Sequence, residues 1–500
     1  MTKKEIRIQY SGLIIFVAKL LSISTGMIFT LLITRFTTTE QYGLWSNIFD
    51  LTTYFVFLSG AIPFWATRFV ARGKEGAVKT SFFANLLIAL ISAAFYIPLV
   101  PVLTATLHIE EAYLMLYFLA SAHIIGTYLI SVLEACLRAK NPQAIGYGLL
   151  LEEVCKVTVA YILIVVFAQP LFGALISLIM AILIQILYYL KLVGRDFEQK
   201  IQWSYIKEWI KGSVASIYNL IGNQVANFIL ILLFVYGSEA ARGYFQAAFT
   251  IGNIVTYSFF LSFALYPKVL AENSLKDVTD SLKLVLMFAI PMAFAAMAMP
   301  DSFLVILDEQ YRAATITLAI LAMDGLLITV SQFYTYVFFG VEKIDEEAKI
   351  PLRRLAKSDL FKVFTLPYIH SLITLPTAFY VLSNFALNQP VEAATYVAII
   401  NMTARFAMFL VLLIIMRKTV KIHVPWKNVA KYVLAALAMA TILYVIPHPT
   451  KISSTLSVTI AGGLLYLTLL AIIDKEARML AVAIMQEAKR KIKNVFTRHS

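Results

Sequence analysis

In a chain of 500 residues, 60% are hydrophobic, 14% are charged and the mean hydropathy is +0.80. No water-soluble core could hide that much apolar surface, so a soluble globular domain is excluded. The net charge of +13 is spread over short polar loops and not gathered on one folded face, which argues against nucleic-acid binding, and the two cysteines, Cys136 and Cys155, exclude a disulfide framework or a cysteine metal cluster.

A helix that spans a bilayer needs about 20 apolar residues. The first such run, 12–33, is too long for a signal-peptide core and lacks a small-residue cleavage site ahead of the polar stretch 34–43, so it reads as a retained helix. Further runs follow at 44–65, 82–103, 113–135, 144–167, 171–190 and 214–236. The pattern continues at 245–266, 284–304, 315–339, 363–382, 393–416, 429–446 and 455–473, for about fourteen transmembrane helices in an all-α polytopic membrane protein. Between the sixth and seventh runs, Trp203, Ile206, Trp209 and Ile210 recur at helical spacing among Lys200, Lys207 and Lys211, which predicts an interfacial helix. Beyond the last run, Leu480, Ile484, Ala488, Ile492 and Val495 form an apolar stripe against Lys489, Arg490, Lys491 and Lys493. This predicts an amphipathic tail lying on the membrane surface.

Lysine and arginine alternate sharply between the two sets of loops. One set holds only Arg35, Arg242, Arg312 and Lys451; Lys19, Lys156 and Arg405 fall inside predicted helices, and the rest of the 42 basic residues lie on the other side. Because basic loops stay cytoplasmic, the pattern predicts a cell-membrane protein with both termini in the cytoplasm.

Sliding the chain against itself by 200 residues places Gly43 on Gly243, Phe49 on Phe249, Arg68 on Lys268 and Ala71 on Ala271. Identity is low, but helix and loop lengths coincide, as in transporters built from internal repeats. The expected organisation is two pseudo-symmetric six-helix bundles, 1–200 and 201–416, then helices 13 and 14 over 417–474 and a basic cytoplasmic tail over 475–500.

Polar residues within apolar helices mark candidate function, since an ionisable group at the bilayer centre costs about 2.5–3.5 kcal/mol on insertion scales. Lys19 begins a stripe with Ser22, Gly26 and Thr30 on the first helix; Asn219, Asn223 and Asn227 lie four apart on the seventh. The second helix offers Asn47, Asp50 and Tyr54, and the eighth Gln246, Asn253 and Tyr257. The candidate cavity set is therefore Lys19, Asn47, Asp50, Asn219, Asn223, Asn227, Gln246 and Asn253. Each stripe could equally be helix-packing polarity, and Lys19 could form a purely structural pair with Asp50. Lys156, with Glu152 and Glu153 in reach on its own helix, reads as an ion-pair cluster, and Glu134 and Arg138 have the spacing of a salt bridge. Asp324 and Arg405, which have no sequence-adjacent partner, join Lys156 as secondary candidates. His370 beside Pro367 reads as a packed histidine.

The sequence contains no phosphate-binding loop, D-x-D pair, H-E-x-x-H or histidine cluster with metal-ligand spacing, and its loops are short. The expectation is transport without covalent chemistry, cofactor or metal.

The segment from Ile33 to Trp45 (ITRFTTTEQYGLW), a second helix ending near Arg68-Phe69-Val70-Ala71, and the loop from Leu137 to Pro142 (LRAKNP) resemble the polysaccharide and oligosaccharide flippase family. That family belongs to the multidrug/oligosaccharidyl-lipid/polysaccharide (MOP) exporter superfamily. The resemblance implies a MATE-like fold and alternating-access export of an isoprenoid-diphosphate-linked glycan to the outer leaflet. It implies a basic group on the diphosphate, for which Lys19 fits best, and as partners membrane lipids and a glycosyltransferase or polymerase of the same pathway. The alternatives are a cation-coupled multidrug or metabolite antiporter of the same fold, with Asp50 or Asp324 as coupling carboxylate, and a scaffold that only binds lipid-linked intermediates.

Overall fold

The computed structural model describes residues 21–262, 275–341, 359–419 and 424–479; Lys19 and the basic stripe after residue 479 lie outside them. Among the described residues there are helices and no strands, and ten helices are long and apolar enough to cross a membrane. The other four of the fourteen predicted spans fall on shorter or more polar helices. These are α1 (Leu21–Thr34), α6 (Gln143–Ala160), α10 (Glu239–Gly252) and α14 (Asp359–Phe385).

The chain forms two compact units, Met1–Gln246 with Glu346–Val397, and Ala247–Asp345 with Ala398–Ser500. The first holds α1, α2 (Thr39–Val56), α3 (Ala61–Ala71), α4 (Ala77–Thr106), α5 (Leu114–Lys140), α6, α7 (Pro170–Val193), α8 (Trp203–Gly212), α9 (Val214–Leu232), the start of α10 and α14. Helix α2 starts where Thr38 and Gln41 cap each other, the side chain of Thr38 accepting from the Gln41 amide and that of Gln41 from the Thr38 amide. The core of this unit gathers Trp65, Phe69, Val132, Leu133, Tyr189 and Trp209.

Helix α8 is only half the interfacial element that its stripe predicts. Trp203 and Ile210 are exposed, but Trp209 is fully buried, edge-on to Phe69 at 5.4 Å. Gly212 at its end lies so close to Trp65 that a Cβ would come within 2.2 Å of the indole. The apolar stripe is divided: Trp209 packs into the protein core, while Trp203 and Ile210 stay exposed.

Helices α2 and α10 cross at two glycines. A Cβ on Gly43 would sit 1.8 Å from the Glu239 carbonyl oxygen, and one on Gly243 would sit 2.1 Å from that of Thr39. Residues 39 and 239, like 43 and 243, are the pairs that the 200-residue offset superposes. The contact is thus self-complementary, each helix meeting the other through the same positions, as across a two-fold axis.

The second unit holds the 3₁₀ segment Asn253–Ser262, α11 (Leu275–Ala298), α12 (Pro300–Leu307), α13 (Thr315–Val341), most of α15 (Pro390–Thr419), α16 (Trp426–Val445) and α17 (Ile452–Ile473). Helix α11 packs against α16, α13 and the 3₁₀ segment, where Ala289 and Ala293 meet Val255. Tyr466 of α17 donates to the Met287 carbonyl at 2.8 Å. At one end Lys283 meets Glu476 at 2.8 Å, and Asp474 accepts from Asn428 at 3.0 Å.

Candidate functional site

Helix α9 is packed on two flanks and bare on two faces. Tyr218 stacks on Tyr368 of α14 with ring centroids 4.7 Å apart, Gly222 abuts the same ring, and on the other flank Tyr54 of α2 donates to the Gln224 carbonyl at 3.1 Å. At 3.6 residues per turn, Ile221, Val225 and Phe228 share one bare face, and all three are exposed. On the roughly opposite face stand Asn219, Asn223 and Asn227, the last two exposed and the first half-buried. Asn223 Nδ2 donates to the Asn219 carbonyl at 3.0 Å. One helix therefore carries an apolar exposed face and an amide exposed face back to back. That suits a wall with hydrocarbon on one side and water on the other, because an exposed amide in hydrocarbon would forfeit its hydrogen bonds.

The other predicted residues are engaged elsewhere in the fold. Asp50 is buried and bound at both oxygens by Arg242, Nε to Oδ2 at 2.6 Å and Nη2 to Oδ1 at 2.9 Å. Arg242 also donates to Gln246 Oε1 at 2.9 Å. This corrects the topology count, which placed Arg242 in a loop; it is 3% exposed. A single cation one turn into a helix reads as a loop residue from sequence, and only the crossing of α2 and α10 brings Asp50 to it. A Lys19–Asp50 pair lies outside the described residues.

Asn47 is fully buried, and its Oδ1 accepts from Tyr117 of α5 at 2.9 Å, so it sits in a helix interface and not on an open face. Lys156 is buried with Glu153 at 2.8 Å and Glu152 at 3.9 Å, and lies over the Phe29 ring at 5.8 Å. Glu153 also accepts from Ser22 at 2.7 Å and Thr25 at 2.5 Å, which fastens α1 to α6. Asp324 of α13 and Arg405 of α15 find each other at 2.7 Å. Asn253 accepts from Thr256 at 3.1 Å within its own 3₁₀ segment. Glu134, expected opposite Arg138, takes hydrogen bonds from Tyr189 at 3.3 Å and Gln185 at 3.5 Å.

A regularity runs through these contacts. The buried carboxylates among the described residues are Asp50, Glu153, Asp196, Asp324 and Asp474, and each has a cationic partner: Arg242, Lys156, Lys140, Arg405 and Lys431. Outside the candidate spans, the carboxyl of Glu239 at the start of α10 is raised from its ordinary value, first by burial and then by Glu110 and Glu40. No group of three or more potential metal ligands occurs among the described residues.

No family model and no curated protein matches this sequence. Solved structures do match in fold, which is that of transporters of the MOP superfamily. Lipid II flippase MurJ in an inward closed conformation aligns with a TM-score of 0.64 at 14% identity, covering 92% of this chain and 98% of that one. An inward-facing multidrug resistance MATE family transporter aligns at 0.61 and 12% identity, covering 80% and 96%. A MOP superfamily transporter from Pyrococcus furiosus, described as having a binding pocket of reverse polarity, aligns at 0.50 and 14%, covering 83% and 95%.

Proposed function

We propose that this protein is an alternating-access flippase that moves an isoprenoid-(di)phosphate-linked oligosaccharide or polysaccharide unit from the cytoplasmic to the outer leaflet of the cell membrane. The observation that favours this reading over a cation-coupled antiporter is the cationic partner on each buried carboxylate. A coupling acid must take up and release an ion in every cycle. Were Asp50 to do so, Arg242 would lose its buried carboxylate partner, at a cost of roughly 3–5 kcal/mol.

The amide face of α9 supports the same reading. Asparagines offer donors and acceptors to sugar hydroxyls without adding charge, while the opposite face of that helix meets lipid. A diphosphate needs cations or strong donors in place of its water, and Lys19, outside the described residues, is the cation we assign to it. An inside-negative potential drives an anion outward by about 2.3 kcal/mol per charge per 100 mV, so no ion gradient is required.

The test is a proteoliposome assay with a fluorescent polyprenyl-diphosphate oligosaccharide. The wild-type chain should accelerate its flipping without a sodium or proton gradient, and Lys19→Ala and Asn223→Leu should slow it at unchanged protein abundance. Gradient-dependent transport of cationic drugs with no flipping would establish the antiporter instead.

A further inference from the structure

The second unit contains a crevice that the transport reading does not use. Its volume is about 820 Å³, within the range of small-molecule sites. Ile316, Ala319, Ile320 and Met323 of α13 line it together with Met402 of α15 and Tyr444 of α16, and its polar lining includes Asp301 and His448. From Ile316 to Met323 the lining runs roughly 10 Å along the helix. Ile316 and Tyr444 are 65% and 69% exposed at the rim, so in a bilayer the crevice opens to acyl chains.

Asp301 and His448 line the crevice, and Arg312 and Glu309 stand beside Asp301 with both signs of charge. Asp301 pairs with His448 Nδ1 at 2.6 Å and lies 3.7 Å from the Arg312 guanidinium, which meets Glu309 at 3.1 Å. Arg312 and Glu309 are more than half exposed, so both stay open to a further partner. His448 Nε2 is buried without a hydrogen-bond partner among the described residues. It donates when the ring is an imidazolium and accepts when the ring is neutral. Two carboxylates and two bases beside an apolar slot complement a head group that is itself a zwitterion, and they match a purely anionic head poorly.

We propose that this crevice binds one zwitterionic phospholipid of the surrounding bilayer. One acyl chain lies along α13, the ammonium meets Asp301 and Glu309, and the phosphate meets Arg312 and His448. This site is independent of the transported substrate and holds whichever substrate the chain carries.

The test uses the full-length protein, purified and delipidated in mild detergent. Native mass spectrometry follows addition of equal amounts of phosphatidylethanolamine, phosphatidylglycerol and a polyprenyl phosphate. Phosphatidylethanolamine should be retained preferentially, and Ala319→Trp, which fills the crevice, should weaken its retention by about tenfold or more. Arg312→Ala, on an exposed side chain outside the packed interior, should weaken it also and covers the case in which Ala319→Trp does not fold. Preferential retention of phosphatidylglycerol or of the polyprenyl phosphate would overturn the assignment, as would retention unchanged in both variants.

Discussion

Replacing Arg242 by Met strips Asp50 of both its charge-assisted hydrogen bonds, at 2.6 and 2.9 Å, in a site where the two side chains are 4% and 8% exposed. Removing one partner of a buried pair costs roughly 3–5 kcal/mol, because the survivor is left charged without solvent. For a unit of this size that is a fall in thermal midpoint on the order of 5–10 °C. Asp50→Asn should cost less, since an amide oxygen still accepts from the guanidinium. The double variant Asp50→Asn/Arg242→Met removes both charges and should recover most of the loss, with a coupling energy of about 2–3 kcal/mol. The assay is thermal unfolding in detergent of the wild type, both single variants and the double variant, with flipping measured on the same preparations. If the single losses simply add in the double variant, or if Asp50→Asn is fully stable and fully inactive, the pair is not a structural ion pair and Asp50 serves transport directly.

Other consequences follow from the same geometry. Gly43→Ala sets a methyl group against a backbone oxygen at the α2–α10 crossing, which neither helix can yield by a rotamer change. A loss of about 1–3 kcal/mol or more is expected, read as lower midpoint and abundance, and Gly243→Ala should match it; wild-type stability in both would dissolve the crossing. The raised affinity of Glu239 for its proton means that the folded state holds a proton which the unfolded chain releases earlier, so stability falls as pH rises from the unfolded value through the folded one. Glu239→Gln, which mimics the protonated form, should therefore raise the thermal midpoint at about pH 8 and leave it unchanged at about pH 4. A gain at both pH values would trace the effect to packing.

The helical spans were legible because hydrocarbon imposes one requirement on every spanning segment, a run of apolar residues of fixed length. The described residues of the fourteen predicted runs are almost all helical, and Gly43 and Gly243, which the 200-residue offset superposes, meet at one helix crossing. Pairing between helices was less legible. Glu153 and Lys156 share a helix, so their spacing exposed them, whereas Asp50 with Arg242 and Asp324 with Arg405 lie 192 and 81 residues apart, and no local pattern joins them. Asn47 and Asn223 look alike in sequence, each an amide within an apolar run. One is sealed under Tyr117 and the other is bare, and the difference comes from which neighbours cover each helix face. The divided face of α8 was half legible for a related reason: amphipathicity marks a face that must be covered but does not specify whether lipid or protein covers it.

The central claim is that the amide face of α9 meets water while its apolar face meets lipid. Single cysteines at Asn223, Asn227, Val225 and Phe228, in a background with Cys136 and Cys155 replaced, can be probed in native membranes with a membrane-impermeant maleimide applied from either side. Labelling of the Asn223 and Asn227 positions, with little at Val225 and Phe228, is the predicted result; equal labelling of both faces, or none at the asparagine positions from either side, would contradict it.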